Sequence, residues 1–100
     1  MTPPEAWIEL RGELSLSSYD ELEQALVRAT EAGTPRVVID LRQVDAIDST
    51  GIGCLVHAVE SAREAGVEVE MIHGPTAVQE VFEMVGLADV LPFRPSRTPG

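Results

Sequence analysis

The sequence holds one cysteine, Cys54, so no disulfide can close within it, and a reducing compartment such as the cytoplasm fits that usage. Histidine is nearly as scarce. With only His57 and His73 beside Cys54, a metal site would depend on many carboxylates, and neither a metal nor another cofactor is expected. Basic residues number 7 against 17 acidic ones, a formal net charge of −10 with no cluster of Lys or Arg. That balance repels polyanions, so no nucleic acid and no direct membrane binding are expected. No apolar run approaches the roughly 20 residues that span a bilayer. The opening MTPPEAW lacks a basic stretch followed by an apolar segment, and the expectation is a soluble chain that is not exported.

What is present suits a single small domain. Across 100 residues, 44% are hydrophobic, enough to bury one modest core, and the glycine and proline content is ordinary. The expected domain is 1–100, with its core over about 6–93 and disordered ends at 1–5 and 95–100. Trp7, Ile8, Leu10 and Leu14 suggest a strand from about Ala6 to Leu14, with Gly12 marking a bulge or a close approach. Ser17 and Ser18 precede Asp20 and Glu21 with the spacing of a capping box, and Tyr19, Leu22, Ala25, Leu26 and Ala29 recur at helical intervals. This first helix should run to about Ala32 and stop at Gly33. Val37, Val38, Ile39 and Leu41, interrupted only by Asp40, predict a central strand covered on both faces.

Ile52, Leu55, Val56, Val59 and Ala62 mark a second helix closed by Gly66. Val67, Val69 and Met71 alternate with glutamates, as on a half-exposed strand near an edge. A third helix starts near Thr76, carries the stripe Val78, Val81, Phe82 and Val85, and ends at Gly86 with Leu87 in a Schellman arrangement. Val90, Leu91 and Phe93 predict a short final strand. Helices between strands imply crossover connections and a largely parallel sheet, an α/β fold.

The stretch DAIDSTGIGCL, residues 45–55, carries the most information. Asp, Ser and Thr cap helices by accepting hydrogen bonds from first-turn N–H groups, which accounts for one such residue. Here Asp45, Asp48, Ser49 and Thr50 crowd one strand-to-helix turn, followed by Gly51 and Gly53. Two glycines lower helix stability by about 1 kcal/mol each. Small residues allow another molecule close to the backbone, and a helix N-terminus favours added phosphate. If Ile52, Leu55, Val56 and Val59 face inward, Thr50, Cys54, His57 and Ser61 lie on the opposite arc.

GEL at 12–14, VVIDL at 37–41, DAIDSTGIGCL and the Pro-Thr-Ala-Val helix ending MVGL together resemble the STAS domains of bacterial anti-sigma factor antagonists. The similarity spans about residues 7–93. It implies a four- or five-strand, largely parallel (mixed) sheet with three to four helices. It also implies a serine, here Ser49, that a partner kinase phosphorylates. The partner so implied is an anti-sigma factor that is itself a serine kinase of the GHKL type. Unphosphorylated antagonist binds it and frees sigma factor, and a serine phosphatase would restore the binding form. Asp48, Thr50, Gly51, Gly53, Cys54 and His57 are the expected partner contacts. The chain departs from the family pattern at Ser15, where an aspartate is usual, and no strand is evident before Trp7.

Two other classes stand beside this one. A STAS subunit of a constitutive assembly, such as a stressosome scaffold or an accessory of a lipid or anion transporter, would use Ser49 only as a helix cap. An enzyme is not expected. Gly51-x-Gly53 lacks the rest of a phosphate-binding loop, Ser49 has no Gly-x-Ser-x-Gly setting, and receiver-type acids after the first strand are missing.

Overall fold

A computed structural model of the chain describes residues 5–94. Six elements follow in order: β1 (Ala6–Leu14), α1 (Leu16–Glu31), β2 (Arg36–Ile47), α2 (Ser49–Glu64), β3 (Glu68–Ile72) and α3 (Thr76–Met84). The strands form a parallel sheet in the order β1-β2-β3. Two right-handed crossovers that step the same way across a sheet put their helices on one face. Accordingly Leu22 and Leu26 of α1, Leu55 and Val59 of α2, and Val78 and Phe82 of α3 share one core with Val37, Ile39 and Leu41.

The central strand is buried from Val37 to Leu41. Asp40 belongs to that run because its carboxylate is fully engaged: it accepts from the Arg42 N–H at 2.9 Å and from Arg42 Nη2 at 2.8 Å. The Arg42 guanidinium holds the Asp40 carboxyl below the usual carboxylate range. This pair therefore stabilises the fold above the ordinary aspartate pKa, and its contribution fades as pH falls through the lowered value. On β3, Val69 and Met71 are buried while Glu68 is exposed, as the alternation predicts.

β2 is much longer than the apolar run foretells, continuing through Gln43, Val44, Asp45 and Ala46 to Ile47. Polar residues persist there because β1 supplies ladder partners: Arg11 pairs with Gln43, Glu13 with Ala46 and Leu14 with Ile47. The register slips between Gly12 and Glu13, leaving Asp45 as the extra residue of a bulge. Gly12 has φ 72, a conformation that favours glycine, so the irregularity expected at this position is present.

α1 begins earlier than the Ser17/Ser18 spacing predicts, with Ser15 as its N-cap. Ser18 Oγ accepts from the Ser15 N–H at 3.4 Å and donates to the Glu13 carbonyl at 2.8 Å, a box closed by serine rather than by an acid. α3 ends as expected: the Leu87 N–H reaches the Phe82 carbonyl at 2.9 Å and the Gly86 N–H reaches Glu83 at 3.1 Å, with Gly86 at φ 76.

The final strand is reduced to a single bridge between Phe93 and Met71. Pro92 has no N–H to donate, and the Leu91 N–H is already committed to the Leu87 carbonyl, so a ladder cannot grow there. Among the described residues the sheet thus has three strands with this bridge at its edge, compatible with the four- or five-strand sheet expected. Glu5, placed by the sequence in a disordered end, is described and accepts from Trp7 Nε1 at 3.1 Å. The rest of the ends expected to be disordered, 1–4 and 95–100, lies outside the described residues.

Candidate functional site

The end of β2 delivers the DAIDSTGIGCL stretch to the start of α2. Asp45 lies in the strand, at the bulge, and not in the connecting turn where the sequence put it. Asp48 is the N-cap, extended at φ −108 and ψ 176, and its Oδ1 accepts from the Gly51 N–H at 2.6 Å. Ser49 is the first residue of the helix and Thr50 the second. Both are exposed, and neither hydroxyl makes a hydrogen bond among the described residues. The cap is therefore Asp48, which corrects the idea that Ser49 serves as the structural cap. A carboxylate one residue earlier already reaches the first-turn N–H.

The two glycines part company. A Cβ on Gly51 would sit 2.1 Å from the Leu14 carbonyl oxygen and 3.3 Å from Asp48 Oδ1, so this residue lets the start of α2 lie against the end of β1. Gly51 is buried and its smallness is used inside the fold, where the sequence placed it under a partner. Gly53 is exposed, and a Cβ there would meet nothing within 4 Å.

Further along α2, Cys54 is half-buried, His57 and Ser61 are exposed, and Leu55 and Val59 point into the core. Val56, expected inside, is only half-buried. Thr50, Cys54, His57 and Ser61 thus form one outward arc, as the helical spacing requires. The His57 ring lies 6.1 Å from that of Tyr19 on α1. Tyr19 donates its hydroxyl hydrogen to Glu23 Oε2 at 2.6 Å, and that bond to a carboxylate, reinforced by burial, pushes its pKa up to about 12.

A shallow concavity at the top of both helices is lined by Ser15, Leu16, Ser17, Asp20, Asp48 and Thr50. Leu16, 64% exposed at its edge, escaped the sequence reading. Its signal was available only once Ser15 is known to be the cap, because a residue in the first turn has no preceding turn to cover it.

No base is hydrogen-bonded to Ser49 among the described residues, so nothing there activates it as a nucleophile. Nor do the described residues contain three or more His, Cys, Asp or Glu grouped to hold a metal ion. No helix of the described residues is long and apolar enough to cross a membrane.

A small parallel sheet with helices on one face, whose central strand feeds a helix carrying an outward hydroxyl on its first turn, has the architecture of a STAS domain. The family model described as Mlab, STAS domain matches residues 1–92, and the chain belongs to that family. It is 27% identical over 84 residues to an anti-sigma-B factor antagonist of Staphylococcus aureus, covering 84% of this chain and 78% of that protein. Solved structures share the fold. A sulfate transporter family protein from Wolinella succinogenes superposes with a TM-score of 0.77 at 20% identity, over 93% of this chain and 79% of that one. The Bacillus cell fate determinant SpoIIAA in its phosphorylated form superposes with a TM-score of 0.64 at 17% identity, over 95% and 86%.

Proposed function

We propose that this chain is an anti-sigma factor antagonist whose binding surface is the start and outward arc of α2, and that phosphorylation of Ser49 turns the binding off. Its partner in this reading is an anti-sigma factor that is itself a GHKL-type serine kinase, with a serine phosphatase resetting the cycle in the cytoplasm. The chain performs no catalysis of its own. The observation that carries the reading is the Ser49 hydroxyl, exposed and without a hydrogen bond among the described residues, with Asp48 doing the capping. The relationship to an anti-sigma-B factor antagonist supports it.

The switch follows from charge and bulk. A phosphoserine carries about −1.5 to −2 charges near pH 7. The N-terminus of α2 tolerates that charge, because its free N–H groups and dipole favour anions. A partner seated over Gly53, with Thr50, Cys54 and His57 beneath it, meets a new dianion next to Asp48. An acidic or closely fitting surface is expelled.

The test is incubation with a cognate kinase and ATP, mapping of phosphate by mass spectrometry, and comparison of Ser49→Ala with Ser49→Asp in partner binding. Phosphate on Ser49, with binding kept by Ser49→Ala and lost by Ser49→Asp, supports the reading. An unmodified Ser49 and equal binding by both variants defeat it.

A second reading is favoured by the Wolinella sulfate transporter family neighbour: a STAS subunit held permanently in a scaffold or transporter assembly. In that case Ser49→Asp leaves assembly intact, and purified complexes contain scaffold or transporter subunits.

A further inference from the structure

Between α1 and α2, away from Ser49, runs an apolar groove of about 230 Å³. Its floor is Leu26, Ala58 and Ala62, each less than a tenth exposed, and Val27 stands at its edge with 49% of its surface in solvent. Tyr19 lines the groove and also approaches His57, so the groove is continuous with the arc assigned to partner binding. The charged groups lining it are carboxylates, Glu23 and Glu31.

Apolar lining of this kind gains when an aliphatic group displaces water, and carboxylates at its border select for cations. A second copy of the chain is a poor occupant, because it brings the same carboxylates and its own net charge of −10. We propose that the groove receives an amphipathic helix of the partner protein, with aliphatic side chains on its floor and Lys or Arg at Glu23 and Glu31. The mode is helix-in-groove recognition, anchored by residues one turn apart. The identity of the partner as the anti-sigma factor rests on the function proposed above. The groove and its preference for a basic amphipathic helix do not depend on Ser49.

The probe is a synthetic helical peptide with leucines four and seven positions apart and flanking arginines, titrated into the isotope-labelled full chain by NMR. Saturable amide shifts centred on Leu26, Val27, Ala58 and Ala62 are expected. Ser61→Trp fills the groove from an exposed position and should weaken binding about tenfold. The double variant Glu23→Gln with Glu31→Gln should weaken it about threefold, since exposed charge pairs contribute little each. Ala65→Arg, at another exposed lining position, repeats the test if Ser61→Trp does not fold. The titration uses the unmodified chain with neither kinase nor anti-sigma factor present, so failure of the groove and failure of the Ser49 switch are read separately. Absence of saturable shifts overturns the proposal, as do scattered shifts, equal binding of a glutamate-flanked peptide, or undiminished binding to Ser61→Trp. Groove shifts that appear with protein concentration alone, without peptide, would assign the surface to self-association and overturn it too.

Discussion

Two helices begin around one concavity in this protein, and their first turns are built differently. At α1 the hydroxyls are occupied: Ser15 and Ser17 share a hydrogen bond at 3.1 Å, and Ser18 bonds both to Ser15 and to the Glu13 carbonyl. At α2 one carboxylate, Asp48, does the capping, and among the described residues the hydroxyls of Ser49 and Thr50 make no hydrogen bond. Two serine-rich helix starts therefore have different chemical availability. At α2 the Gly51 N–H is taken by Asp48, so capping that donor makes no demand on the Ser49 hydroxyl.

The sharpest way to break this comparison is at the seat of α2. Gly51→Ala puts a methyl group against the Leu14 backbone, which cannot swing aside, and should lower stability by about 3 kcal/mol, the upper end for overpacking. Urea unfolding measures it; a loss below about 1 kcal/mol would mean that the α2 start is not seated on β1. Next in size are the caps. Asp48→Ala and Ser18→Ala should each cost about 1 kcal/mol, and thermal melts in which only one of them lowers Tm would show that the two starts are not equally capped.

Gly53→Ala should act in the opposite direction. Its methyl group meets open space, so the helix gains up to about 1 kcal/mol. Binding to the proposed partner should weaken in the same variant. A more stable protein that binds normally would remove Gly53 from the interface. The smallest expected effect is on stability at Ser49: Ser49→Ala and Ser49→Asp should each lie within about 0.5 kcal/mol of the unsubstituted protein, as exposed sites without partners do. A larger loss in Ser49→Ala would reveal a capping role that the geometry does not contain.

Local signals were the legible ones. The order of the six elements, the inward stripe of α2 at Leu55 and Val59, and the Schellman ending at Gly86 all follow from periodicity and from residues adjacent in the chain. The misread places depend on residues distant in sequence. β2 continues to Ile47 because β1 pairs with it, and the strand expected after Leu87 collapses to one bridge because its donors are missing or committed elsewhere. At the site, Ser49, Thr50 and Gly53 were found by sequence in the places they occupy. Leu16 was not, since its exposure depends on where α1 begins.

By itself the sequence determined the α/β class, the helical period that puts Thr50, Cys54 and His57 on one arc, and the concentration of hydroxyls and glycines between Asp45 and Cys54. Spacing along a chain fixes which side chains share a helix face, because the period belongs to the backbone. The tertiary structure alone decided which of those residues are taken up inside the fold and which surfaces are left open. Gly51 meets the Leu14 carbonyl across the fold, and the apolar groove exists only where α1 and α2 lie side by side. These are relations between groups brought together in space, and no local pattern encodes them.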